Sequence, residues 1–501
     1  MRIPTRNVRV GQDNVVEAQV DRIRGRVGLI LAPSIFIALL LIPMPGLSDA
    51  AHRLAAVFAA VVILWVTETI PLAVTALLGP AVAVIMGVGP VDEVFAPFAH
   101  PLIFLFMGSF ILSRAIFLHR LNERIVLAVL SWKLIGAHPT RIMLAYLAVG
   151  ALVSGWMSNT ATAAMLLPIG LSLLAFMESE ASLNPNFGTV FLLATAYVCS
   201  LGGLMTVVGT APNVIAVGML DQYLDVRLSF IDWMMFAVPI SLILLILLFF
   251  YLHWIGGPGI REIPGADRII SERKAALGSW SRGEKNVLIA FGTTVLLWVL
   301  PGILTMVLNA DNPVSMWFAS AIPNSVAVMI GVGLLFVLPL SETKRSTITW
   351  KQASEIDWGT ILLFGGGLAL GQLTFKTGLA GALAEGFTGL FPISSVVSLT
   401  FVSAAFLIFF TEIMSNTAAI NIMGPIIISI AQASGVDPIP PLIAASLSAS
   451  VAVMLPVATP PNAIVYSSGR IPITKMVRYG FVVDIVASIL VPSLVLLLFL
   501  W

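Results

Sequence analysis

The 501-residue chain is 58% hydrophobic and only 10% charged, with a formal net charge of +1. Soluble domains carry about 25% charged residues, so this composition excludes an ordinary water-soluble globule and fits a chain solvated by lipid. The small net charge provides no basic field for nucleic acid, and the single cysteine, Cys199, excludes an internal disulfide or a cysteine metal cluster.

In chain order, residues 1–26 are polar and hold six arginines: Arg2, Arg6, Arg9, Arg22, Arg24 and Arg26. No short apolar core with a small-residue cleavage site follows, so the segment reads as a cytosolic basic leader rather than a signal peptide. Residues 27–53 read as a first transmembrane helix, Val27 to Met44, and its loop. Apolar stretches follow at 54–71, 72–90, 101–119, 139–177, 188–219, 229–256, 286–308, 322–340, 358–379, 395–433, 439–468 and 479–500. The stretches 139–177 and 395–433 are too long for one crossing, and each has Ser-Asn-Thr in its middle. Each reads as a re-entrant hairpin that returns to the side it entered from. The predicted fold is therefore an all-α polytopic membrane protein with about eleven transmembrane helices and two re-entrant hairpins.

Loop charges give the orientation. With the N-terminus cytosolic, 23 of the 26 Lys and Arg residues fall on the cytosolic side, leaving Arg53, Arg227 and Lys376 outside. The C-terminus is then external. The parity is the same if either long stretch crosses twice, so re-entrance rests on the polar tips alone.

Residues 54–256 and 286–501 resemble each other across a cytosolic linker, 257–285. Phe106-Met107-Gly108 answers Phe364-Gly365-Gly366, and Ser158-Asn159-Thr160 answers Ser415-Asn416-Thr417. Gly209-Thr210-Ala211-Pro212-Asn213 answers Ala458-Thr459-Pro460-Pro461-Asn462. The crossings between them place the two hairpins on opposite faces, which makes an inverted repeat of the kind secondary transporters use, with a binding site near the midplane. The Phe-x-Gly segments read as close-packing scaffold.

Irregular backbone at membrane depth has to line a protein cavity. The helix after each Ser-Asn-Thr turns its free N–H groups and positive dipole end toward that cavity, where an anion such as a carboxylate is a natural occupant. The hydroxyls of Ser158, Thr160, Ser415 and Thr417 can donate to it. The amides of Asn159 and Asn416 can donate through nitrogen and hold a cation through oxygen. The breaks at Pro212 and Pro460-Pro461 are expected to free carbonyl oxygens suited to a small hard cation. A single Ser-Asn-Thr is only a good helix N-cap; two, each followed by a Thr-x-Pro-Asn break, point to a site.

Three acidic residues fall in apolar stretches. Glu68 reads as lying near an interface and Asp484 as structural. Glu412, three residues before the second Ser-Asn-Thr, either tunes cation affinity or caps the hairpin limb. No Lys or Arg falls at the midplane, so the anion's charge is expected to be met by dipoles, hydroxyls and co-bound cations.

These paired motifs resemble the divalent-anion:sodium symporter family, which includes dicarboxylate, citrate and sulfate transporters, over nearly the whole chain from about residue 54. The resemblance implies a homodimer working by an elevator-like movement, in a plasma membrane such as the bacterial inner membrane. It implies one sodium site from Ser154, Ser158, Asn159 and a carbonyl near Gly209, and a second from Thr411, Ser415, Asn416 and a carbonyl near Ala458. Substrate would lie near Ser158, Asn159, Thr160, Ser415, Asn416, Thr417 and Thr459. Ala211 stands where many relatives have a second proline, which implies a less strongly broken backbone there. Threonine at the third position of both motifs is similar to the dicarboxylate-type members. The function implied is sodium-coupled dicarboxylate transport without an organic cofactor. The alternatives are a dicarboxylate exchanger, or a sulfate or tricarboxylate transporter of the same fold. An enzyme is disfavoured by the lack of a catalytic constellation, and a channel by the broken-helix repeat.

Overall fold

The computed structural model describes residues 10–499 apart from 310, 342–345 and 391–394, and describes no side chains for 10–21, 266, 267, 269 or 387–390. Arg2, Arg6, Arg9, Lys344 and Arg345, all counted above as cytosolic cations, lie outside the described residues.

Among the described residues the regular structure is helical. The first helix, α1 (Val10–Leu41), begins inside the segment read as a leader and runs unbroken into the apolar stretch. Next come α2 (Asp49–Thr67), α3 (Leu72–Ile85), the short α4 (Val91–Phe95) and α5 (Pro101–Leu118). Ser48 caps α2 through a bond from the Ala51 N–H, and a proline at N1 starts α5. The amphipathic α6 (Leu121–Leu130) leads to α7 (Pro139–Ser154) and α8 (Asn159–Glu180), with the first Ser-Asn-Thr at their junction. The stretch at 188–219 is two helices, α9 (Phe187–Gly203) and α10 (Ala211–Leu224), separated by seven residues of irregular backbone.

A long α11 (Phe230–Gly256), begun by a Ser229–Asp232 capping box, leads into the linker. The linker contains α12 (Ala266–Ala276) and ends at a second capping box, Ser281–Glu284, which opens α13 (Arg282–Leu308). The pair α14 (Pro313–Ala321) and α15 (Asn324–Val337) bends by 65°. After α16 (Trp350–Ala353) come α17 (Trp358–Thr377) and α18 (Leu379–Leu390). The second half then repeats the earlier order. Helices α19 (Val396–Thr411) and α20 (Asn416–Ala433) flank the second Ser-Asn-Thr, α21 (Ile439–Ala449) and α22 (Pro460–Tyr466) flank the second break, and α23 (Ile473–Phe499) closes the chain.

Nine of the described helices are long and apolar enough to cross a bilayer alone, or ten with the bent pair. Against the expectation of about eleven, α3 is short and the segments at 187–224 and 439–466 are each divided by a break, while α8 and α20, assigned to the hairpins, are long enough to count. Large apolar side chains stay exposed along the outer helices, among them Leu29, Phe250, Trp254, Leu296 and Val307. Water would not tolerate so continuous a surface; acyl chains do.

Two packing relationships position the site. Within each half, the hairpin helices pack on the helix before the break: α7 and α8 on α9, α19 and α20 on α21. The helix after each break crosses over, so that α10 packs on α20 and α21 while α22 packs on α8 and α9. Ser446 seals one crossing by donating to the Pro212 carbonyl at 2.9 Å, and the Thr210 and Ser450 hydroxyls meet at 3.2 Å. This exchange brings elements more than 200 residues apart to one place. A second group, α1–α5 with α13–α17, has α3 lying on α17 and α5 on α15, and joins the first through α17, which also packs on α20 and α10. Glycines permit the closest approaches, as expected for the Phe-x-Gly segments: a methyl on Gly366 would lie 2.3 Å from the Ala76 carbonyl oxygen, and one on Gly108 would lie 2.7 Å from Val328.

Candidate functional site

Both Ser-Asn-Thr turns and both breaks line one cavity of about 330 Å³. Ser158, Asn159, Thr160, Ser415, Asn416, Thr417, Gly209, Ala458 and Thr459 all contribute to its wall. Ser154 and Thr411 do not; each is fully buried behind its turn. No Lys or Arg is among the lining residues.

The local chemistry explains the turns. Ser158 leaves its helix in extended conformation and accepts the Ala161 N–H at 3.3 Å, capping α8. Ser415 makes no such side-chain bond. The single Ser154 hydroxyl proton is shared between two acceptors, the Cys199 carbonyl at 2.7 Å and Asn159 Oδ1 at 2.8 Å. At the corresponding place in the second half, Thr411 bonds its own helix at Leu407 and Ile408. Asn416 Oδ1 is left buried without a partner.

The asparagine that ends each motif gathers several upstream carbonyls, and those of Gly209 and Ala458, expected to face a cation, are not among them. Asn213 Nδ2 donates to Gly203, Leu204 and Thr206 at 3.1, 3.4 and 2.8 Å. Asn462 Nδ2 donates to Ala452 and Leu455 at 3.4 and 2.9 Å. Buried backbone acceptors need such partners. Ala211 does not weaken the first break: Thr210 (φ −145°, ψ 150°) and Thr459 (φ −141°, ψ 149°) have nearly the same backbone.

Several lining residues were not anticipated. Glu68, in left-handed conformation at the end of α2 (φ 47°), lines the cavity and pairs with Arg24 of α1 at 3.2 Å. Asp357 lines it too, its carboxylate held by the Thr360 N–H at 3.1 Å and hydroxyl at 2.6 Å. Phe106 and Phe110 form an apolar wall, so the first Phe-x-Gly segment is more than scaffold. The sequence holds no local signal for Glu68, whose partner lies 44 residues away on another helix. A further cavity of about 380 Å³ shares Phe110, Ser158, Thr160 and Asp357 with the first and extends to the Arg114–Glu355 ion pair. Glu412 is buried, and its carboxylate accepts the Met454 and Leu455 N–H groups at 2.8 Å each. It therefore caps the second break and not the hairpin limb. Asp484 lies beside it on α23.

Residues 25–501 match the family described as the sodium:sulfate symporter transmembrane region. The chain belongs to this family, the divalent-anion:sodium symporters. It is 33% identical over 479 residues to the sodium-dependent dicarboxylate transporter SdcS of Staphylococcus saprophyticus, covering 93% of this chain and 89% of that protein. It is likewise 33% identical over 476 residues to SdcS of Staphylococcus aureus, with the same coverage. Among solved structures it resembles the antimetabolite efflux pump MtrF of Neisseria gonorrhoeae (TM-score 0.57, 12% identity, 92% of this chain and 96% of that one). It also resembles the YdaH transporter of Alcanivorax borkumensis (TM-score 0.56, 14% identity, 81% and 86%). At such low identity these two speak to the fold alone. The symporter is thus a multi-pass membrane transporter.

Proposed function

We propose that this symporter moves a small dicarboxylate of the succinate, malate or fumarate type together with sodium. The observation that carries the reading is the cavity itself: paired hydroxyl-and-amide turns, two helix N-termini, and no basic side chain in the wall. Of its two acidic side chains, Glu68 pairs with Arg24 and Asp357 accepts hydrogen bonds from Thr360. An anion here has no fixed cation to meet, and a co-bound sodium ion supplies that charge where water is scarce. A volume of about 330 Å³ sits at the small end of ligand pockets and suits a four-carbon acid. The dicarboxylate relatives support the same substrate class.

In this reading Ser158, Asn159 and the Gly209 carbonyl hold one sodium ion, with Ser154 behind them. Ser415, Asn416 and the Ala458 carbonyl hold the other, with Thr411 behind. The carboxylates meet Thr160, Thr417 and Thr459 and the N–H groups that open α8 and α20. The two hairpins are re-entrant and the halves inverted. The unit built from α7–α11 and α19–α23 moves in elevator fashion against the unit built from α1–α5 and α13–α17, within a homodimer. The positive-inside count favours a cytosolic N-terminus and external C-terminus in a bacterial inner membrane, and the side cavity toward Arg114 supports an access route from the cytosol. Uptake of labelled succinate into proteoliposomes, measured across a panel of mono-, di- and tricarboxylates and sulfate with sodium or choline outside, tests the reading. Counterflow without a sodium gradient would identify an exchanger instead.

A further inference from the structure

The two Ser-Asn-Thr tips are tied to their breaks at matching positions by different chemistry. Gly155 and Glu412 each stand three residues before their Ser-Asn-Thr. Thr206 and Leu455 each stand seven residues before the asparagine that ends their break, Asn213 and Asn462. In the first half the Thr206 hydroxyl donates to the Gly155 carbonyl. In the second half the break again donates, but the side chain now stands on the tip: the Leu455 N–H and the neighbouring Met454 N–H donate to the Glu412 carboxylate. All these bonds are buried or nearly so, where a hydrogen bond is strong and its loss leaves an orphan.

We propose that Thr206 and Glu412 are positioning residues that latch each Ser-Asn-Thr tip to its break and thereby set the spacing across each ion seat. The argument is geometric. Each proposed seat is shared between a tip and a break, since Asn159 with Gly209 and Asn416 with Ala458 line the one cavity, so no single helix fixes the separation of its oxygens. A small hard cation discriminates by fractions of an ångström, and a rigid supporting contact is what holds a first shell to that tolerance. Asn213 and Asn462 fold each break upon itself, but neither touches a tip; the latches do. They are not equivalent. The second is a carboxyl group that accepts two backbone N–H bonds, while the first is a single hydroxyl-to-carbonyl bond.

This inference rests on the sodium-coupled reading for its functional part, and the test separates the two. The full-length protein is reconstituted as wild type, Thr206→Val, Thr206→Ser and Glu412→Gln. Two quantities are read: the sodium concentration that gives half-maximal succinate uptake, against the maximal rate, and amide hydrogen exchange over residues 453–456. Thr206→Val keeps the shape and removes the donor; it should raise the sodium requirement about tenfold or more, with the maximal rate at saturating sodium changed less than about twofold, and Thr206→Ser should restore the wild-type value. Glu412→Gln turns an NH2 donor toward one of the two N–H groups that both oxygens now accept, so exchange at Met454 and Leu455 should rise about tenfold or more. Unchanged exchange in Glu412→Gln, or a wild-type sodium requirement in Thr206→Val, overturns the latch. If Glu412→Gln is not recovered folded, the Thr206→Val and Thr206→Ser pair decides alone. A wild type that takes up no succinate with sodium defeats the transport reading, and the exchange measurement then still decides the latch.

Discussion

Ser154 donates its hydroxyl to the side-chain oxygen of Asn159 at 2.8 Å. That oxygen already has a partner, whereas its counterpart on Asn416 is buried with none. An orphaned buried acceptor costs about 1–3 kcal/mol, and a cation would remove that cost. The two seats therefore differ before any ion arrives.

This asymmetry gives the first prediction. Asn159→Ala and Asn416→Ala should each abolish uptake of labelled succinate, yet differ in sodium-free stability. Asn159→Ala breaks a bond and lowers the unfolding temperature, while Asn416→Ala removes an orphan and leaves it within about 1 kcal/mol of wild type. Sodium should raise the melting temperature of the wild type, by linkage, and raise that of Asn416→Ala less. Thermal unfolding in sodium and in choline checks this; normal uptake by either variant would refute the site.

A second prediction concerns Gly203. A methyl there would stand 2.4 Å from Asn159 Oδ1, so Gly203→Ala must push the amide off its position. The sodium requirement for uptake should rise about tenfold or more, while Gly333→Ala, whose methyl meets open space, should leave it unchanged. Equal behaviour of the two variants in an uptake titration would contradict the geometry.

The asparagines that close the breaks are the third. Asn213→Ala removes an amide whose two N–H groups serve three backbone carbonyls, the nearest at 2.8 and 3.1 Å. With Asn213 fully buried, the loss should lower stability by about 2–4 kcal/mol. Asn462→Ala, which removes two such donations, should cost less. Denaturation in detergent under matched conditions reads the order; a larger loss for Asn462→Ala would reverse it.

The Arg24–Glu68 pair supplies the fourth. Both side chains are part-exposed, at 30% and 41%, so the pair contributes little to stability, but Glu68 faces the cavity. Arg24→Ala should leave that carboxylate uncompensated and raise the half-saturating succinate concentration about two- to fivefold, more at low ionic strength. Glu68→Gln should lower it. Salt-dependent uptake kinetics check both signs.

The sequence carried the centre of this site because its chemistry is local and doubled. Ser-Asn-Thr followed by Thr-x-Pro-Asn needs no tertiary knowledge to be read as irregular backbone, and the second copy removes the plain capping explanation. What the sequence hid depends on long-range contacts. Glu412 looked equally suited to a cation or to a cap, because its partners Met454 and Leu455 lie 42 and 43 residues away. The place of Glu68 in the wall was hidden because it depends on α1 and on a left-handed turn. The role of Asn213 and Asn462 was within reach, since an amide beside a stretch of unpaired carbonyls has an obvious use. The span count differs because breaks divide apolar stretches that hydropathy joins.

Succinate uptake by reconstituted wild-type protein, with an inward sodium gradient and again with sodium replaced by choline, goes most directly to the idea that an anion is held here without a basic side chain. The account predicts saturable accumulation with sodium and a collapse of both binding and uptake in choline. Undiminished binding and uptake in choline would contradict it.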